Sequence, residues 1–182
     1  MTQSAGQDPI SATKTAFSGR IIEVTLDQVT LPNGVECELE IIHHPGGAAA
    51  VALDEAGRVC LLRQYRHAVE GWLWELPAGK IDDQEPHLET AQRELREEAG
   101  LTATTWTPLG EMASSPGVFK ERVFLYLATD VHHVSAAREP EEVMEVHWVP
   151  FEEATTMALD NTITDAKTVI GLLRAQSVIR GS

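Results

Sequence analysis

The chain has 182 residues, 43% of them hydrophobic and 23% charged, which suits one domain with a real core plus a modest extension and leaves little room for two independent domains. Its 14 basic and 28 acidic residues give a formal net charge of −14, which disfavours docking onto a nucleic-acid backbone or an anionic membrane, because both need a clustered positive surface. Cys37 and Cys60 belong to no CxxC or Cys/His cluster and no apolar run is long enough to span a bilayer, so a disulfide framework, a structural zinc and a membrane span lack support, and a soluble cytoplasmic protein is expected.

Residues 1–16 are polar, small and unpatterned, which predicts a loose terminus with order beginning near Phe17. From Ile22 the run Ile-Glu-Val-Thr-Leu-Asp alternates apolar and polar, Pro32-Asn33-Gly34 supplies a turn, and Val35, Cys37, Leu39 and Ile41 alternate again, which predicts a hairpin. His43-His44-Pro45-Gly46-Gly47 breaks the pattern, and both histidines read as loop residues. Ala48–Leu53 and Val59–Leu62 read as two buried strands around the Asp54-Glu55-Ala56-Gly57 turn. Trp72–Leu76 is a further short apolar run closed by Pro77-Ala78-Gly79.

A helix is predicted to start after Pro86 and stop at Gly100. Strands return at Val123–Ala128 and Val143–Val149, and Pro150 opens a helix to about Leu159. Thr164-Asp165 caps a last helix reaching about Gln176, with Ala166, Val169, Ile170 and Leu173 on its apolar face. Trp72, Trp74, Trp106 and Trp148 fall in or beside strands and read as core, while His132-His133 sits in a polar loop without metal-ligand spacing.

On the helix after Pro86, Leu88, Ala91, Leu95 and Ala99 form one apolar stripe, and Glu94, Glu97 and Glu98 crowd together on the side away from it. Like charges at i, i+3 and i+4 weaken an isolated helix by a few tenths of a kcal/mol per pair, so something should offset the cluster. A solvated face with Arg93 paired to Glu97 is one account. The other is a divalent-cation site, because hard ions such as Mg²⁺ take carboxylate oxygens and keep waters for substrate phosphates to displace.

The wider spacing chooses between them. Gly79, five residues, Glu85, seven residues, Arg93-Glu94-Leu95, one residue, Glu97-Glu98, one residue and Gly100-Leu101 match the Nudix box at every specified position. The chain therefore resembles the Nudix hydrolases. The resemblance implies an α/β fold of mixed β-sheets sandwiched between helices in an α/β/α arrangement, with an N-terminal antiparallel extension. It implies that Glu94 and Glu98 ligate Mg²⁺, for which Mn²⁺ could substitute, that Glu97 holds a further metal, and that the Ala78 carbonyl completes the shell. Arg93 would orient the glutamates, Glu85 would be a structural or secondary metal contact, and Gly79 and Gly100 would be backbone-permissive turn positions. Phosphoanhydride hydrolysis fits such a site, because cations neutralise phosphate oxygens and acidify an attacking water.

Features outside the box resemble the ADP-ribose pyrophosphatase branch: Arg63-Gln64-Tyr65-Arg66, then Trp74-Glu75-Leu76-Pro77-Ala78-Gly79, and Pro116 fifteen residues beyond Leu101. The resemblance implies an ADP-ribose hydrolase yielding AMP and ribose 5-phosphate, with residues 17–45 a β segment exchanged in a homodimer and 46–182 the catalytic domain. Arg66, Arg63, Pro116 and Glu121 are the substrate-binding candidates, with Lys120 and Arg122 behind them, since an acidic protein needs local cations to hold an anion. The catalytic base, or an extra metal ligand, would come from Ala137-Arg138-Glu139-Pro140-Glu141-Glu142, with Glu142 first, then Glu141, and Glu139 open. Glu97 and Arg93 complete the catalytic set. Two departures bear on selectivity: Gly117-Val118-Phe119-Lys120 replaces the small polar residues common after the marker proline, and Phe17 is the only aromatic the N-terminal segment offers for stacking a base. A pyrophosphatase of the GDP-mannose type and a non-catalytic Nudix sensing module are the competing readings.

Overall fold

The computed structural model describes residues 10–138 and 142–181. In chain order come β1 (Ile10–Ser18), β2 (Glu23–Thr30), β3 (Glu36–His43), β4 (Gly47–Ala52) and β5 (Arg58–Arg66), then a 3-10 turn at His67–Val69. β6 (Gly71–Glu75), β7 (Ala78–Lys80), α1 (His87–Ala99) and β8 (Leu101–Ala113) follow. The chain continues through β9 (Phe119–Lys120), β10 (Arg122–His133), β11 (Met144–Pro150), α2 (Phe151–Leu159) and α3 (Ala166–Gly181). Two compact units emerge: Met1–Pro45 with Ser115–Glu121, and Gly46–Ser114 with Arg122–Ser182.

The first unit is one sheet in the order β1-β2-β3-β9, antiparallel except that β9 runs parallel to β3. Its β2–β3 hairpin turns where expected: Asn33 Oδ1 accepts the Val35 N–H at 3.1 Å, and Gly34 adopts φ +83°. Order begins earlier than composition indicates, because Ile10–Ser18 is a strand. Every residue of β1 is exposed, so backbone pairing to β2 holds it rather than burial, and no apolar alternation marks it in the sequence.

The second unit holds two sheets, β7-β4-β10-β8 and β11-β5-β6. β4, Gly-Ala-Ala-Ala-Val-Ala, is buried throughout, and its small side chains suit a strand packed on both faces. Ala49 and Val51 join the cluster containing Leu172 and Ala175 of α3 and Ala154 of α2. Ala50 and Ala52 instead pack with Leu95 of α1, Leu101 and Cys60. Alternation along one strand thus sends helices to opposite sides, which is the α/β/α arrangement.

Several local expectations need correction. β8 is a full strand although Thr102–Gly110 shows no period-two pattern, because its half-exposed residues are held by the antiparallel ladder to β10. That ladder also carries β10 through His132 and His133, which are strand and not loop residues. The buried face of α3 is Thr168, Gly171, Leu172 and Ala175; Ala166 is exposed, and Val169, Ile170 and Leu173 are only half-buried. Trp72 is 42% exposed, packed edge-on to Tyr65 rather than in the core. Among the described residues no helix is long and apolar enough to cross a membrane.

Candidate active site

α1 begins at His87 after Pro86, whose fixed φ suits a helix entrance, and ends at Gly100, which takes φ +67° and donates its N–H to the Arg96 carbonyl at 3.0 Å. Leu95 and Ala91 are fully buried, as the stripe requires. Glu94 and Glu98 are also buried, at 7% and 3% exposure, so they do not lie on a solvated side. The segment from Pro77 to Lys80 covers them. The Ala78 N–H donates to Glu98 Oε2 at 2.7 Å, and Glu94 lies so close to Gly79 that a Cβ there would sit 1.9 Å from Glu94 Oε1. Gly79 thus lets the Glu94 carboxylate approach the backbone closely, because a side chain there would displace it.

Arg93 is the hub of the acidic face. Its Nε and Nη2 donate to Glu85 at 3.0 and 2.9 Å, Nη2 also to the Lys80 carbonyl at 3.1 Å, and Nη1 to Glu94 at 2.7 Å and Glu97 at 3.4 Å. Glu85 in addition accepts the Thr90 hydroxyl at 2.8 Å. The Arg93 hydrogen bonds, opposed by slight desolvation and helped by Thr90, hold the Glu85 carboxyl down to about 2. Glu85 thus ties the loop before the helix to the arginine that holds the other glutamates.

Glu94 and Glu98 behave oppositely. Burial pushes the Glu98 carboxyl up to about 8; the Ala78 N–H works against this, while Glu94 and Glu142 push it further. Burial likewise raises Glu94, Arg93 opposes the rise, and Glu97 and Glu142 add to it. Two buried carboxylates served by one arginine, which touches Glu94 and is shared with Glu85 and Glu97, are costly. This donor set, all hard oxygen and deficient in positive charge, fits a divalent cation of the Mg²⁺ kind. Among the described residues no three His, Cys, Asp or Glu side chains converge as a complete cage. A cation here would need further oxygens from backbone, water or substrate, as Mg²⁺ customarily takes them.

The remaining candidates separate. Arg66 lies beside this cluster: its charge lowers the Glu98 carboxyl, and its Nε and Nη2 donate to Glu75 at 2.7 and 2.9 Å. Arg63 points to the opposite face of β5, its guanidinium 5.2 Å from the centroid of Trp74, because Arg63 pairs with Trp74 while Glu75 pairs with Leu62. Glu121 Oε1 lies 3.1 Å from His44 Nδ1, Lys120 lies in β9 and Pro116 is an exposed residue before it, all within the first unit. Arg122 pairs with Glu111 at 2.8 Å. Glu142 is half-buried and close enough to raise both Glu94 and Glu98, whereas Glu139 and Glu141 lie outside the described residues.

The structure adds two residues that nothing in the motifs singles out. Glu75 is 1% exposed and takes both Arg66 and Lys167; burial raises its carboxyl, but the Arg66 hydrogen bonds and the Lys167 charge outweigh this and bring it to about 2. A lone glutamate between Trp74 and Leu76 in an apolar strand is the available signal, since a buried charge demands a partner. Lys167 carries no comparable signal.

A helix that presents buried glutamates from a loop–helix–loop against a mixed-sheet sandwich defines a class of domain whose oxygen donors suit a hard cation. The chain belongs to the NUDIX domain family, whose pattern matches residues 43–170. Nudix hydrolases generally use divalent metals. The chain is 38% identical over 174 residues to the ADP-ribose pyrophosphatase of Mycobacterium tuberculosis, covering 93% of this chain and 84% of that one. It is 35% identical over 158 residues to the ADP-ribose pyrophosphatase of Bacillus subtilis, covering 86% and 85%. A crystal structure of an ADP compounds hydrolase superposes with a TM-score of 0.83 over 99% of this chain and 98% of that one, at 23% identity, a likeness of fold.

Proposed function

We propose that the protein is a Mg²⁺-dependent hydrolase that cuts the pyrophosphate bond of ADP-ribose to give AMP and ribose 5-phosphate. The observation that carries the reading is the buried Glu94–Glu98 pair beneath Ala78 and Gly79, in a chain that has two ADP-ribose pyrophosphatases among its relatives over most of its length. When bound, Mg²⁺ supplies neutralisation of the phosphate oxygens and an acidified water. Glu94, Glu98 and the Ala78 carbonyl would hold it, with Glu97 serving a further ion. Arg93 keeps Glu94 and Glu97 in place through its hydrogen bonds. Arg66 binds the diphosphate through N–H groups that Glu75 does not use. Glu142 accepts the proton from the attacking water, a task poorly suited to glutamates whose basicity a cation has depressed. Products and rates across a panel of ADP-ribose, GDP-mannose and a UDP-sugar test the reading, and preference for a guanine or uridine sugar overturns the substrate assignment.

The first unit serves dimerisation in this reading, with residues 17–45 exchanged between two copies. Support comes from its exposed apolar side chains, Ile10, Phe17, Ile21, Val35 and Leu39, on a strand set with an entirely exposed β1. Light scattering should report twice the chain mass of 19.9 kDa. A monomer contradicts it. A cytoplasmic location agrees with the free thiols of Cys37 and Cys60.

A further inference from the structure

Strand β6 and the segment that covers the glutamates are fastened to the start of α3. Asp165 Oδ2 accepts the Thr168 N–H at 3.0 Å and the Thr168 hydroxyl at 2.6 Å, a cap for the first turn of α3. The same Thr168 hydroxyl oxygen accepts the buried Leu76 N–H at 2.8 Å. Two residues further on, the Ala78 N–H meets Glu98. Beside this, Lys167 Nζ lies 3.1 Å from Asp165 Oδ1 and also donates to Glu75 Oε2, the oxygen that takes Arg66 Nη2. Lys167 is only 17% exposed and Glu75 2% by side chain, whereas Arg66 is 41% exposed. Lys167 is therefore turned inward onto carboxylates, and Arg66 is the member of the group that still faces solvent.

We propose that Lys167 is a positioning residue for substrate binding: by holding the buried Glu75 carboxylate against Asp165 at the start of α3, it fixes the side on which Arg66 is seated and so aims the free N–H groups of Arg66 at the anionic diphosphate. This rests on the assignment of a nucleoside diphosphate substrate above. A bidentate pair sets the plane of a guanidinium, but only if the carboxylate itself cannot turn. Glu75 has two oxygens and three donors from two directions, Arg66 from β5 and Lys167 from α3, and that opposition stops its rotation. Without Lys167 the Arg66–Glu75 pair survives and its orientation loosens. The reacting centre on α1 is untouched, so the expected loss falls on substrate binding and not on the chemical step.

The test is steady-state kinetics with ADP-ribose at saturating Mg²⁺ on the full chain, for wild type, Lys167→Gln, Lys167→Arg, Arg66→Met and the Arg66→Met/Lys167→Gln pair, with a thermal melt of each. Expected are a KM raised about fivefold in Lys167→Gln with kcat within about twofold, and recovery to within about twofold in Lys167→Arg, whose cation reaches the same carboxylates. In the Arg66→Met background, Lys167→Gln should change KM by less than about twofold, because Lys167 acts through Arg66. Calorimetric binding of a non-hydrolysable ADP-ribose analogue should weaken in parallel with KM. An unchanged KM in Lys167→Gln, or a full further rise of KM in the pair, overturns the positioning role. A fall in melting temperature and kcat at constant KM also overturns it, since that is what a purely structural lysine would give. A wild type that hydrolyses no member of the nucleoside diphosphate panel overturns the function itself, and the positioning role with it.

Discussion

Replacing Gly79 with alanine should damage the site through one identifiable collision. The added Cβ would lie 1.9 Å from Oε1 and 2.1 Å from Cδ of Glu94, and ordinary contact begins at 3.4 Å, so the carboxylate must retreat by about 1.5 Å. It has little room to do so, being 7% exposed and held by Arg93 at 2.7 Å. A shift of that size in a group that places reactants can cost about 10²-fold in rate, and overpacking of this kind costs about 1–3 kcal/mol of stability. Turnover of ADP-ribose measured across a Mg²⁺ titration should show kcat down by about 10²-fold with a higher Mg²⁺ requirement. The collision should vanish when its partner is removed: in a Glu94→Ala background, Gly79→Ala should cost less than about 0.5 kcal/mol in urea unfolding. Strictly additive losses, or a Gly79→Ala enzyme with normal turnover, would refute the reasoning.

Glu98→Gln puts a neutral amide where burial already disfavours the charged carboxylate, so it should keep the fold and melting temperature while turnover falls by about 10³-fold, and near-normal turnover would contradict its assigned place. The Glu75 carboxyl, ordinarily near 4.5, is depressed to about 2 in the folded chain, so its stabilisation is fully present above pH 4.5 and is lost as pH falls through about 2. The stability gap between wild type and Glu75→Gln should therefore be on the order of 3 kcal/mol at pH 7 and should narrow over that acid range in pH-dependent urea unfolding; a gap that is constant with pH would rule this out. Gly100→Ala forces a Cβ into φ +67° and to 2.9 Å from the Val134 carbonyl, so it should lower stability by about 2 kcal/mol in urea unfolding, and a neutral substitution would show that the loop following β10 does not pack there.

The elements that announced themselves in the sequence are those whose burial is one-sided and regular. α1 starts and stops where Pro86 and Gly100 place it, and β2–β3 turns at Asn33-Gly34. The box spacing located Glu94, Glu98 and Arg93 on one segment, and family resemblance supplied their chemistry. β1 and β8 were silent because backbone ladders hold them with little burial, which leaves no periodic trace. Helical spacing puts Glu94 and Glu98 on a polar face, because it cannot show that a segment fifteen to twenty residues upstream folds over them. Arg63 and Arg66 are three positions apart in the motif and so sit on opposite faces of β5, a consequence of strand alternation that the pairing of Trp74 and Glu75 makes visible. The Lys167–Glu75 contact joins residues 92 positions apart and could not be read from local pattern.

Whether the Glu94–Glu98 pair takes up a divalent ion is decided by isothermal titration of Mg²⁺ into the wild type and into Glu94→Gln/Glu98→Gln, each with and without a non-hydrolysable ADP-ribose analogue. Saturable uptake by the wild type, weakened about 100-fold or more in the double variant, is expected. No uptake by the wild type even with the analogue present, or equal uptake by both proteins, would contradict the assignment.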